Sequence, residues 1–161
     1  MLFLSLIALS LSVSGFNSVQ AQEEVLAPAA APATTGSDWN IISRSSTTVY
    51  MTDVNAIRQQ DGVTTGTVAR VPASGEASDQ THSVTVISFR CGASQAKSGE
   101  EIYYGADGSI EERIPNDYDF EPIATNSLDD YVKGVVCGGE RATRSYPSVA
   151  AFIAAGRPAR D

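Results

Sequence analysis

Apolar and polar residues alternate between positions 39 and 114, and this pattern predicts a series of short β-strands. The predicted strands are Trp39–Arg44, Thr47–Asp53, Val63–Val71, His82–Cys91, Glu101–Tyr104 and Ser109–Ile114. They are rich in β-branched and aromatic residues, and tight-turn pairs such as Asp61-Gly62 and Asp107-Gly108 lie between them. Short strands joined by tight turns favour an antiparallel sheet over βαβ units.

Two of these strands carry a clear two-residue period. In Val63–Val71 the side chains on one face are Val63, Thr65, Thr67, Ala69 and Val71. In His82–Cys91 one face carries Ile87, Phe89 and Cys91, and the other carries Val84 and Val86.

After residue 126 the spacing of apolar residues changes from a two-residue period to a helical one, which predicts a helix. Ser127 is a good N-cap, and Asp129 and Asp130 occupy the first turn, where the helix dipole favours anions. One helical face is apolar, and its residues are Leu128, Tyr131, Val132, Val135 and Val136. A second short helix is predicted from Pro147 to Ala155, and the pattern leaves open whether it docks or frays.

The first residues predict export. Residues 2–16 are apolar and uncharged, too short to span a bilayer but suited to a signal peptide, and Val19-Gln20-Ala21 predicts cleavage after Ala21. The Ala/Pro-rich residues 22–38 predict an extended linker. The expected organisation is therefore a signal peptide (1–21), a linker (22–38), a folded domain (39–137) and a C-terminal tail (138–161).

Cys91 and Cys137 are the only two cysteines of the chain, and in an exported protein such a pair predicts a disulfide. The bond would tie the end of a strand to the end of the predicted helix. Cys137 lies half a turn away from the apolar face on an ideal helix, so we expect the helix to unwind at or before Val136.

Charge and composition exclude several classes of function. The chain has 161 residues and a formal net charge of −8, which argues against binding to nucleic acid or to anionic lipid. Ten acids and one base lie between Glu100 and Asp130, which indicates an acidic surface.

The single histidine, His82, has no catalytic motif around it. We expect no metal site, no cofactor and no enzyme activity, and the alternative is a hydrolase that uses acidic residues of segment 107–121, such as Asp107 and Asp119.

The ordered landmarks of residues 39–137 resemble the surface-adhesin protein E family. The matching segments are Trp39-Asn40-Ile41-Ile42, Val49-Tyr50-Met51-Thr52-Asp53, Phe89-Arg90-Cys91, Tyr103-Tyr104 with Asp107-Gly108, Phe120-Glu121-Pro122-Ile123 and Ser127 to Cys137. Arg90 departs from the family, which often has an acid there, and Phe120 departs from its common tryptophan. The resemblance implies an α+β fold in which one helix packs on a small antiparallel sheet and is tied to it by the disulfide.

These observations together predict a non-enzymatic, exported binding module in the periplasm or at the cell surface. Its partner would be a protein or another envelope ligand, and a homodimer is compatible with the sequence. The candidate contact residues are the aromatic side chains Tyr103, Tyr104, Tyr118 and Phe120, because aromatic residues dominate binding hot spots. A structural component of the cell envelope is the alternative.

Overall fold

The structure is a computed structural model that describes residues 36–159 of the chain. The predicted signal peptide (1–21) and most of the predicted linker (22–38) lie outside the described residues. Within the described part, no helix has the length and apolar character needed to cross a bilayer.

An antiparallel β-sheet forms the centre of the fold, as the sequence predicts. Its strands are β1 (Trp39–Arg44), β2 (Thr48–Asp53), β3 (Arg58–Gln60), β4 (Val63–Pro72), β5 (His82–Arg90), β6 (Gln95–Tyr104), β7 (Ile110–Ile114), β8 (Glu121–Pro122) and β9 (Ser145–Tyr146). The main order across the sheet is β7-β6-β5-β4-β2-β1-β9, with β3 paired to β4 and β8 paired to β6. With nine strands the sheet is larger than the small sheet expected, because β3, β8 and β9 are too short to show a two-residue period. The predicted strand Glu101–Tyr104 is the second half of β6.

Two helices accompany the sheet. Helix α1 runs from Leu128 to Val136, and its N-cap is Ser127, whose side chain accepts a hydrogen bond from the backbone of Asp130. Helix α2 runs from Val149 to Ala154. Both helices lie where the sequence predicts them.

The two helices contribute to separate hydrophobic clusters. Helix α2 packs with residues of β1, β2 and the end of β4, and the buried members are Trp39, Ile41, Val49, Met51, Ala69, Val71, Tyr146, Val149, Phe152 and Ile153. Helix α1 packs with Ile42, Val68, Ile87, Phe89, Ala96, Val132, Val135 and Val136. Val68 and Ala69 are neighbours in one strand and belong to different clusters, so the two clusters lie on opposite faces of the sheet.

Strand β4 is consequently buried from both sides. The five residues predicted to share a face do so, but only Ala69 and Val71 of that face are buried. The other face also enters the core, since Thr64, Gly66 and Val68 lie under α1. A Cβ atom on Gly66 would stand 2.5 Å from Cγ2 of Val136, so this glycine lets α1 approach the strand.

Cys91 and Cys137 form the predicted disulfide, with their Cα atoms 5.8 Å apart. The expected unwinding of the helix is wrong. Cys137 keeps helical backbone angles, and its amide donates to the carbonyl oxygen of Lys133. No unwinding is needed because Cys91 lies one residue beyond β5, in a half-exposed turn at the rim of the α1 cluster.

The chain after Cys137 is part of the folded unit. Strand β9 pairs with β1, with Trp39 opposite Tyr146, and Phe152 and Ile153 of α2 are fully buried. The predicted tail therefore covers part of one face of the sheet, over β1, β2 and the end of β4. Of the two outcomes left open for the second helix, docking is the one observed.

Candidate functional site

A row of four directly paired residues crosses the sheet on the α1 face. Tyr50 of β2 is opposite Arg70 of β4, Arg70 is opposite Ser83 of β5, and Ser83 is opposite Tyr103 of β6. Directly opposed residues point to the same face of an antiparallel sheet. The row lies on the same face as Val68, two residues from Arg70, but beyond the part that α1 covers.

This row forms the floor of an open cleft of about 320 Å³. The lining residues are Thr47, Thr48, Tyr50, Arg70, Val71, Pro72, Thr81, His82, Ser83, Tyr103, Tyr104 and Glu111. Neither α1 nor α2 contributes a residue to this lining. The cleft is therefore an uncovered portion of the sheet bounded by strand ends, and it is open to a partner.

An ion pair fixes the charged group at the centre of the cleft. Nη1 of Arg70 donates to Oε1 of Glu101 at 2.9 Å and to Oγ1 of Thr85 at 2.8 Å. The hydroxyl of Ser83 donates to the same Glu101 oxygen at 2.9 Å. Within residues 36–159 the hydrogen bonds of the Arg70 side chain all start from Nη1, so Nη2 and Nε are available to an acceptor on a ligand.

Two groups near Arg70 have shifted pKa values, and the charge of Arg70 opposes both shifts. A hydrogen bond to Glu101 raises the pKa of the Tyr103 hydroxyl above its ordinary value of 10.0. Burial raises the pKa of Asp129, in the first turn of α1, and the charge of Arg70 opposes that rise. Arg70 contacts Glu101 directly at 2.9 Å and acts on Asp129 through its charge.

Tyr104 faces away from Tyr103, as neighbours in a strand must. Its ring stacks on that of His82, with ring centres 4.4 Å apart and planes 2° apart. Nδ1 of His82 lies 2.6 Å from the carbonyl oxygen of Gln80, and because a carbonyl only accepts, Nδ1 carries the proton. Burial lowers the pKa of His82, and the hydrogen bond to Gln80 opposes that shift. His82 and Tyr104 therefore form a neutral stacked pair at the edge of the cleft.

The other two candidate residues lie elsewhere. Phe120 precedes β8, which pairs with β6 at Ala96, and its ring lies under the guanidinium of Arg90 at 4.0 Å. Ala96 is seven residues along β6 from Tyr103, about 23 Å at 3.3 Å per residue. Tyr118 is 63 % exposed and lies in the loop before β8. The structure thus places Tyr103 and Tyr104 at one end of β6, on opposite faces of the sheet, and Tyr118 and Phe120 near the other end.

The acidic residues of segment 107–121 are spread over a turn and a loop. Oδ1 of Asp107 accepts from the backbone amide and the hydroxyl of Ser109, and these hydrogen bonds lower the pKa of Asp107. Asp119 is exposed beside Phe120. Among residues 36–159, no three His, Cys, Asp or Glu side chains are grouped so as to hold a metal ion.

Sequence reasoning did not identify Tyr50 and Arg70 as site residues. A signal was available for Arg70, since a cation in the run Val68-Ala69-Arg70-Val71 breaks the apolar pattern of a strand. Tyr50 lies between the apolar Val49 and Met51 in one strand, so its side chain points to the face of the sheet opposite theirs. Neither pattern indicates that the two residues are neighbours, because strand pairing decides that.

No protein-family model matches this chain, and neither the curated proteins nor the solved structures contain a match to it.

Proposed function

We propose that this protein is a non-enzymatic, exported binding module, and that the cleft floored by Tyr50, Arg70, Ser83 and Tyr103 contacts its partner. One observation carries the proposal: a row of aromatic, cationic and hydroxyl side chains crosses four adjacent strands, with no helix in the lining of the cleft above it. The resemblance to surface-adhesin protein E supports the same class of function.

The chemistry of the floor suits a partner protein. Tyrosine and arginine are enriched among the residues that dominate protein interfaces, because each combines a large contact area with a polar group. The Tyr50 and Tyr103 positions are separated by three strand spacings, about 14 Å. A peptide segment laid across the strands could contact both rings and place a carbonyl or carboxylate oxygen at the free nitrogens of Arg70.

Export is the second part of the proposal. The disulfide supports it, because such bonds persist in oxidising compartments, and the sequence of residues 2–21 has the pattern of a signal peptide. In an exported protein the bond would hold α1 against the sheet. We place the mature protein in the periplasm or at the cell surface.

The test compares Tyr103→Ala with Tyr118→Ala as a matched control, since the two substitutions remove the same group at opposite ends of β6. Immobilised mature protein is used to capture partners from an envelope extract, and each captured protein is then purified and titrated. We expect a partner that binds the wild type and Tyr118→Ala equally and binds Tyr103→Ala about tenfold or more weakly.

Arg70→Gln provides a second variant at the same cleft. It should weaken the same partner, because it removes the free donors while Tyr103 remains. A partner that binds all three variants as tightly as the wild type would refute the cleft as the contact surface. Altered envelope integrity in a deletion strain, with no soluble partner at all, would favour a structural component instead.

A further inference from the structure

The row of paired residues under the cleft continues into the next strand and ends on an acid. Tyr103 of β6 is opposite Glu112 of β7, so the row crosses five adjacent strands with Tyr50, Arg70, Ser83, Tyr103 and Glu112. Directly opposed residues point to the same face of the sheet, and Glu112 therefore projects beside the cleft. Strand β7 is the last strand of the main sheet order, and all of its residues are exposed.

A glycine makes room for a second carboxylate at the same end of the cleft. Glu111 lines the cleft together with Tyr103. Its side chain lies against the buried Gly105, in the space that a Cβ atom would take at that position. The three atoms nearest to that Cβ position all belong to the Glu111 side chain. The Glu111 carboxylate can therefore lie close to the strand, at the rim of the cleft, because position 105 has no side chain.

The charged groups at this cleft are mostly acidic. Among the described residues that line it, Arg70 is the one cation, and Glu101 neutralises that charge at 2.9 Å. In the described part of the chain, the side chains of Glu111 and Glu112 accept no hydrogen bond and form no ion pair. Asp129 of α1 is close enough for the charge of Arg70 to act on its pKa. The carboxylates around the cleft thus outnumber its single guanidinium.

The ring of Tyr103 lies within this acidic surrounding. Besides the hydrogen bond to Glu101, the charges of Glu101 and Glu112 raise the pKa of the Tyr103 hydroxyl, and the charge of Arg70 lowers it. Glu112 is therefore close enough for its carboxylate to act on this side chain. A cation over the face of the ring would be attracted both by the ring and by the neighbouring carboxylates.

We propose that the partner protein places a basic side chain, of arginine or lysine, in this end of the cleft, between the ring of Tyr103 and the carboxylates of Glu111 and Glu112. This inference rests on the proposed function and adds the chemistry of the partner to it. An acidic side chain at the same place would be repelled by both carboxylates. The formal net charge of −8 also favours the approach of a basic partner over a longer range.

A polypeptide fits the whole row better than a small free amine does. The free Nη2 and Nε atoms of Arg70 need a hydrogen-bond acceptor, which a peptide carbonyl provides and an ammonium group does not. Arg70 and Glu112 are three strand spacings apart, about 14 Å. An extended segment of about four residues covers that distance at roughly 3.3 Å per residue. One segment can therefore place a carbonyl oxygen at Arg70 and a basic side chain at Glu112.

The experiment titrates isotope-labelled mature protein with two capped heptapeptides and follows the binding by NMR. Both peptides consist of glycine and serine around one central residue, which is arginine in the first and citrulline in the second. Citrulline has nearly the shape of arginine without its charge. We expect the arginine peptide to shift the amide signals of Tyr103, Glu111 and Glu112 and to bind about fivefold or more tightly than the citrulline peptide. Added salt should weaken the arginine peptide alone.

Two double variants of equal net charge separate the cleft from the charge of the whole molecule. Glu111→Gln/Glu112→Gln removes both carboxylates from the cleft, and the arginine peptide should then bind no more tightly than the citrulline peptide. Asp119→Asn/Glu121→Gln removes two exposed carboxylates near the other end of β6. This control should bind the arginine peptide within about twofold of the wild type, because distant exposed charges are screened by salt.

Gly105→Ala tests the position of Glu111 without changing any charge. The added methyl group takes the space of the Glu111 side chain and displaces its flexible end. We expect the arginine peptide to bind about twofold or more weakly and the citrulline peptide to bind as it does to the wild type. Unchanged binding of the arginine peptide would overturn the assignment of Glu111 to the site.

Three results would overturn the basic side chain as the occupant. They are equal affinity for the two peptides, equal weakening in both double variants, and binding of spermidine at the same residues as tightly as the arginine peptide. The last result would assign this end of the cleft to a small amine.

The proposed function can fail separately from this inference. A captured partner might bind Tyr103→Ala at least about tenfold more weakly but bind Glu111→Gln/Glu112→Gln as tightly as the wild type. That result would keep the cleft as the contact surface and refute only the basic side chain. A partner that binds Tyr103→Ala and Arg70→Gln normally would refute the cleft itself.

Discussion

Arg44 and Arg157 hold the end of the described chain against the first strand of the sheet. Nη1 of Arg44 donates to the carbonyl oxygens of Arg157 and Pro158 at 3.1 and 2.9 Å. The guanidinium of Arg157 in turn donates to the carbonyl oxygens of Gly75, Glu76 and Asp79. Arg157 is only 3 % exposed, so a loop between β4 and β5 wraps a buried cation with backbone dipoles.

Loss of the Arg157 side chain should destabilise the whole domain. Arg157→Gln leaves carbonyl oxygens of the loop without a donor, and we expect the free energy of unfolding to fall by about 2–4 kcal/mol. Arg157→Lys should recover only part of this loss, because an ammonium group cannot reproduce the planar fork of donors. Urea unfolding of both variants gives the comparison, with exposed Arg141→Gln as the control. Equal stability of Arg157→Gln and Arg141→Gln would contradict this role.

The close contact between Gly66 and Val136 predicts that a side chain at position 66 destabilises the fold. Gly66→Ala places a methyl group against a buried valine, and such overpacking typically costs about 1–3 kcal/mol. Gly92→Ala is the matched control, since a Cβ at Gly92 meets no atom within 4 Å. Thermal unfolding should show a lower midpoint for Gly66→Ala and nearly the wild-type midpoint for Gly92→Ala. Equal midpoints for the two variants would mean that α1 does not lie as close to β4 as the structure shows.

The disulfide should contribute strongly to stability. Its two cysteines are 46 residues apart, and the chain-entropy account of a loop of that size gives about 4 kcal/mol. We expect the free energy of unfolding of Cys91→Ser/Cys137→Ser, measured by urea titration, to be lower than that of the wild type by about that amount. Mass spectrometry of the mature wild type should find no free thiol. If the double variant were as stable as the wild type, packing alone would be holding α1 in place.

The stability of the fold should depend on pH through His82. Because the pKa of His82 is lower in the folded state than its ordinary value of 6.5, the unfolded chain takes up the proton first as the pH falls. The His82 contribution therefore decreases as the pH falls below about 6.5 and levels off below the folded-state pKa.

His82→Phe isolates this effect, since it keeps a ring to stack on Tyr104 and cannot titrate. Between about pH 7 and pH 5 the free energy of unfolding of the wild type should fall relative to that of His82→Phe. Denaturant unfolding at several pH values measures this difference. A difference that does not change with pH would show that His82 titrates alike in both states.

The sequence by itself determined both helices and six of the nine strands. Alternation in Val63–Val71 and in His82–Cys91 predicted strands that the structure contains, and Ser127 with the apolar face from Leu128 to Val136 predicted α1. These features are local, because side-chain period and capping depend on residues a few positions apart. The disulfide followed from there being only two cysteines and from the predicted export.

Tertiary structure alone decided which residues became neighbours. The pairing of β2, β4, β5 and β6 put Tyr50, Arg70, Ser83 and Tyr103 in one row, although 53 positions separate the first from the last. It also separated Tyr103 from Phe120, which are only 17 positions apart. Register and the placement of α1 and α2 arise from burying apolar area between distant segments, and the local pattern of a single strand carries no information about which partner it will meet.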